Sequence, residues 1–206
     1  MYALVESGSV TKLFLYPKGF MLNNTQYSSD IFYKWTKSEK EAIGIYEVIT
    51  DSSNKKDEKW YINTNESYSF ADNQVTRSWG TATPKAHADS FYTNQDKTDG
   101  LIPDDKDVGD VKVEGLKTIL IRNIKAQAAG ILKDTDWYII RKADADTAVP
   151  SSITTHRAAV RTKCAEMETA ITNAADTPAL ETLYTYTEQE DGSITRPLGE
   201  LPRLED

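Results

Sequence analysis

Lys125-Ala-Gln-Ala-Ala-Gly-Ile-Leu-Lys-Asp-Thr-Asp-Trp-Tyr-Ile-Ile-Arg141 ends one amphipathic helix and turns the chain toward another. Asn123, Ile124, Ala128, Ile131 and Leu132 recur at three- and four-residue steps, the spacing that lines one helical face. The helix should stop near Asp134, because Thr135 and Asp136 compete for nearby backbone groups and Trp137 offers a large ring to close the corner. After Pro150 a second helix begins, with Ser151 or Ser152 as its cap, and runs to about Asn173. Its seam reads Ile153, Val160, Cys164, Met167 and Ile171, and Arg157 fills the remaining seam position.

Upstream, the first helix is expected from Val111 to Lys133, with Val113, Leu116, Leu120, Ile124 and Ile131 in its seam. Downstream, Asp176-Thr-Pro-Ala-Leu-Glu-Thr-Leu-Tyr184 supplies a cap, a first-turn proline and a short third helix to lie across the pair. From Thr185 onward Pro197, Gly199 and Pro202 break the chain into an extended tail.

Leu132-Lys-Asp-Thr-Asp-Trp137 followed by His156-Arg-Ala-Ala-Val-Arg161 resembles the helical-hairpin module of the tail assembly chaperone and tail fibre assembly families of tailed bacteriophages. Their pattern is an apolar pair, a short spacer, Thr-Asp-Trp, then an aromatic-Arg-x-x-apolar-Arg helix. This chain departs from it at His156, where the family usually has Tyr, and at Arg141-Lys142, where a Pro-Asp pair is common. The resemblance covers roughly residues 122–184. More loosely, Tyr2-Ala-Leu-Val-Glu6 and Glu41-Ala-Ile-Gly-Ile-Tyr-Glu-Val48 look like the small β-rich domain of the same phage proteins. It implies a non-enzymatic tail protein that binds a tail fibre or baseplate component, as an assembly chaperone or a small structural subunit, and that is oligomeric within the tail.

The N-terminal residues 1–84 read as β-rich. Tyr2–Glu6 and Val10–Tyr16 flank Ser-Gly-Ser, a hairpin composition, and Phe20–Tyr27 is a loop or short extended piece with Asn23-Asn24 as its turn. Thr36–Gly44 is a short helix in which Ser38 and Glu41 have capping-box spacing and Gly44 supplies the stop. A strand, Ile45–Thr50, follows it. Further on the period becomes two. Tyr68 and Phe70 share one strand face, Val75, Arg77 and Trp79 share another, and Ala71-Asp-Asn73 turns between them. Trp60, Tyr61, Tyr68 and Trp79 are either core aromatics of a small sheet or a stacking platform for sugar, which would make the chain a receptor- or carbohydrate-binding module of a fibre.

Residues 85–110 lose periodicity and fill with Asp, Lys, Thr, Asn and Gly, so they read as a solvated linker. Their carboxylates lack EF-hand spacing, and no metal site is expected. The fold class is therefore α+β: a β-rich domain (1–84), a linker (85–110), an antiparallel helical hairpin with a third helix (111–184) and a tail (185–206).

With a net charge of -8 over 206 residues and no Lys/Arg run, a nucleic-acid surface is not expected. Two histidines and one cysteine provide neither a zinc set nor a disulfide, so Cys164 reads as a small buried apolar residue. No Ser-His-Asp order, phosphate loop or carboxylate pair suggests an enzyme, and no cofactor is expected. Neither a signal peptide nor a membrane-length apolar run is present, which places the protein in the host cytoplasm during assembly, with the virion tail as a further station. The charged constellation of the hairpin is Asp136, Arg141, Arg157 and Arg161. A seam arginine needs a carboxylate, and Asp136 is the nearest; the group with Trp137 is either a structural clasp or a contact site for a partner's acidic group.

Overall fold

The computed structural model describes residues 1–204 and divides the chain into two compact units, Met1–Thr83 and Pro84–Asp206. Both strands and helices are present, and the fold is α+β.

In the first unit, turn chemistry sets the strands. β1 (Tyr2–Glu6) and β2 (Ser9–Phe14) form a hairpin, as do β3 (Phe20–Leu22) and β4 (Thr25–Tyr27). After α1 (Ile31–Lys34), α2 (Lys37–Ala42), β5 (Ile45–Thr50) and β6 (Tyr61–Ile62), the third hairpin pairs β7 (Ser67–Ala71) with β8 (Gln74–Ser78). β9 (Thr83–Pro84) lies at the boundary between the units. Each hairpin closes with a two-residue loop: Ser7-Gly8, Asn23-Asn24 and Asp72-Asn73. All six loop residues have positive φ, as a type I′ turn requires, and its twist matches that of paired strands. The main sheet runs β2-β1-β5-β8-β7, antiparallel except for the parallel β5–β8 pair. Its edge strands β2 and β7 approach one another across a cleft of about 490 Å³, so the sheet curls toward closure.

Leu4, Phe14, Phe20, Ile31, Phe32 and Ile45 form the core of this unit. The rings of Phe14, Phe20 and Phe32 meet at centroid distances of 4.8–6.1 Å in tilted pairs. The capping box on α2 differs from the expected Ser38/Glu41 pair. Thr36 accepts from the Glu39 N–H while the Glu39 carboxylate accepts from the Thr36 N–H, because the N-cap lies two residues earlier than Ser38. Gly44 does end the helical segment, at φ +80, and a Cβ there would sit 2.6 Å from the Val5 carbonyl oxygen.

In the second unit β10 (Ser90–Phe91) pairs with β11 (Val111–Val113), with α3 (Asn94–Thr98) between them. Four helices follow: α4 (Leu116–Lys133), α5 (Asp136–Ala145), α6 (Ser151–Asn173) and α7 (Thr177–Tyr184). α4 and α6 are antiparallel. Lys117 Nζ donates to the Thr172 carbonyl, Lys125 pairs with Glu168, and Arg157 donates to the Leu132 carbonyl. Between them lie Leu120, Ile124 and Ala128 from α4 and Ile153, Val160, Cys164, Met167 and Ile171 from α6, all buried. Val113, expected in this seam, is in β11 and exposed. Asp176 caps α7 by accepting from the Ala179 N–H, and Leu180 is buried.

The solvated linker expected at 85–110 is a structured part of the second unit. α4 has no capping side chain of its own at Gly115. Its first donors are instead met by the chain before it: Leu116 N–H donates to the Ala86 carbonyl, Lys117 N–H to His87, and Gly115 N–H to Asp89 Oδ1. Any Cβ on Gly115 would overlap the Ala88 backbone, 2.3 Å away. Low apolar content did not leave this segment without partners, because backbone donors at a helix start supplied them. The expected extended tail also carries structure, the short pair β12 (Thr187–Glu188) and β13 (Ile194–Thr195) and the fully buried Leu198. Arg196 lies 5.2 Å from the rings of both Tyr184 and Tyr186 and pairs with Glu200. Residues 205 and 206 of the expected tail lie outside the described residues.

Candidate functional site

The site is the joint where α4 ends and α5 begins, opposite the first turns of α6. Arg157 is held there with only 7% of its surface exposed. Its Nη1 donates to the Leu132 carbonyl and to Thr135 Oγ1, each at 2.7 Å, and its Nη2 donates to Asp136 Oδ1 at 2.9 Å. The Leu132 carbonyl belongs to the last turn of α4, where a cation meets the negative end of the helix. Asp136 opens α5, where a carboxylate meets the positive end. One guanidinium thus satisfies a helix C-terminus, a joint hydroxyl and a helix N-terminus. Of the two readings of Arg157 and Asp136, a clasp describes the geometry.

Trp137 does not cover that clasp. The residue is 49% exposed, its ring tilted at 32° to that of Tyr138 with centroids 3.8 Å apart and capped by the Arg141 guanidinium at 4.7 Å. The closed corner expected from the sequence is instead the start of α5, which runs on without Gly or Pro to Ala145 and stops at Asp146 in a left-handed conformation. No residue of α5 is buried, and Ile140 is 66% exposed. Arg141 therefore parts company with Arg157. Its guanidinium finds no acceptor among the described residues, and its Nε is buried without a partner. Arg161 lies one turn beyond Arg157 on α6 and donates only a long 3.5 Å bond to the Arg157 carbonyl.

Trp60, Tyr61 and Trp79 cannot serve as a stacking platform, since each is at most 7% exposed. Lysine ammoniums from Lys59, Lys56 and Lys55 lie over the three rings, with Arg77 also over Trp79. Tyr68, half-buried, donates to Glu66, which also takes Arg77. Period-two aromatics mark a strand face, and in a sheet this small that face is core. Cys164 is buried, its thiol pushed up by burial and by the Glu168 carboxylate that accepts from it. Among the described residues no cluster of His, Cys, Asp or Glu could hold a metal ion, and no helix is long and apolar enough to cross a membrane.

No family model, curated protein or solved structure matches the chain. The functional reading therefore rests on the joint itself. Sequence spacing pointed to Asp136 as the partner of Arg157 but missed Thr135 and the Leu132 carbonyl. It also missed Ile140 as an exposed residue, although Trp137, Ile140, Arg141 and Asp144 stand at the three- and four-residue steps of one helical face.

Proposed function

We propose that the chain is a non-enzymatic tail protein of a tailed bacteriophage, which binds a tail fibre or baseplate component in the host cytoplasm during assembly, as an assembly chaperone or a small tail subunit. One observation carries the reading. The two halves of the phage-like motif, Thr135-Asp136-Trp137 and His156-Arg157, meet through Arg157, and the joint they close holds out a helix with no buried residue. Trp, Tyr and Arg dominate the energetic centres of protein interfaces, and Trp137, Tyr138 and Arg141 stand together at this one. A ring half in water contributes little to the fold and much to a contact.

The test is co-expression with candidate fibre and baseplate proteins. Trp137→Ala is expected to lower the melting stability by less than about 1 kcal/mol and to weaken co-purification by about tenfold or more. A loss of stability on the scale of a core ring, or unchanged co-purification with every tail component, would remove the reading. Mass spectrometry of purified particles then separates the two roles: a subunit is present in fixed copy number and a chaperone is missing.

A further inference from the structure

We infer that α5 docks in the α4–α6 groove of a second copy of this chain, and that the tail component meets the associated form. The inference rests on the reading of α5 as a contact surface and names what covers that surface. The groove, about 880 Å³, lies between α4, α6 and the C-terminal segment, with Ile131, Met167 and Leu201 in its wall and Asp134 and Arg203 also lining it. Neither Asp134 nor Arg203 has an ion-pair partner among the described residues. Asp134 is also the C-cap of α4, where the helix's negative end disfavours a carboxylate, so a cation brought to it from outside is doubly favoured.

α5 offers the complement. Trp137, Ile140, Arg141 and Asp144 share one face, apolar at one end and charged at the other, and Asp144 is likewise unpaired among the described residues. Laid in the groove of a second copy, Trp137 and Ile140 meet the apolar wall, Arg141 meets Asp134, and Asp144 meets Arg203. Ten residues of helix, about 15 Å, are the length presented. Arg141 thereby gains the acceptor that its own chain does not give it. Charge order, and not apolarity alone, selects this occupant over an unrelated helix.

Light scattering and sedimentation of the full chain test the inference, with expected self-association that deepens with concentration. Arg141→Asp and Asp134→Arg, each alone, should weaken association by about tenfold or more, because each sets like charges together. An equimolar mixture of the two variants should restore it, since each then presents an opposite charge to the other in both contacts. Asp144→Arg with Arg203→Asp repeats the exchange at the other end of α5, so that a folding defect in one variant does not decide the matter. A chain that stays monomeric, or a mixture that associates no better than its components, overturns the inference. If the chain is monomeric while Trp137→Ala still weakens binding to a tail component, only this inference falls; if Trp137→Ala changes neither, the assembly reading falls with it.

Discussion

The first unit is assembled from its turns and the second from its polar pins. Three pairs of residues with positive φ set the hairpins of the first, each fixing a register with neighbours only a few positions away. In the second, Arg157 reaches across 21 to 25 residues to Asp136, Thr135 and Leu132, and Asp89 reaches 26 to the start of α4. Local geometry is cheap to specify and insensitive to single side chains elsewhere. Distant polar contacts concentrate much of the organisation of a unit on a few groups, so the two halves should fail differently.

The largest effect should come from the aromatic core. Phe14 is all but fully buried among Phe20 and Phe32, and Phe14→Ala should cost about 3 to 5 kcal/mol in urea denaturation followed by tryptophan fluorescence. A loss under about 1 kcal/mol would mean that turns alone hold the sheet. Next comes the clasp. Asp136→Ala strands a buried guanidinium with two acceptors left, at a cost of about 2 kcal/mol, and adding Arg157→Leu should recover part of that by removing the stranded charge. Strict additivity in this double-mutant cycle would deny the pin its role.

Turns rank below both. Asn24 sits at φ +61, so Asn24→Ala should cost about 1 kcal/mol and Asn24→Gly should cost nothing, as read from the melting temperature. Equal effects of the two substitutions would show that this turn does not depend on its backbone conformation. Smallest is a pH effect in the second unit. Hydrogen bonds from Lys112 and then Thr93 hold the Asp96 carboxyl down at about 2, against an ordinary 3.8. A depressed carboxyl contributes stability above its ordinary value and loses it as pH falls through the lowered one. Asp96→Asn should therefore flatten the stability profile between pH 3.8 and about 2 and leave the remaining acid limb intact. An unchanged profile there would remove Asp96 from the polar network.

This contrast also governs what the sequence made legible. Ser7-Gly8, Asn23-Asn24 and Asp72-Asn73 could be read as turns because the residue that adopts the conformation is the residue that signals it. The seam of α6 was legible for the same reason, since helical spacing is local. The cap on α4 was not. Backbone carbonyls of Ala86 and His87 carry no side-chain signature, and charged composition around them pointed to solvent. α5 is not legible because Thr135 and Asp136 have the composition of a corner, whereas Thr135 is the buried joint and Asp136 the first residue of a new helix. The Arg157–Asp136 pair is legible from the rule that a buried cation needs a carboxylate, with Asp136 the nearest one. Whether Trp137 faced inward or outward could not follow from that rule.

A guanidinium is flat, and this flatness gives Arg157 a directional role that an ammonium could not fill. Its two terminal nitrogens hold acceptors from the end of α4, the joint and the start of α5 in a single fork, so the bend between those helices is referred to the plane of one side chain on α6. Lysine would keep the charge and lose the angle. The pointing of Trp137 is thereby geared to the orientation of another helix: a rotation of α6 about its axis would swing α5 with it, as a lever turns with its fulcrum.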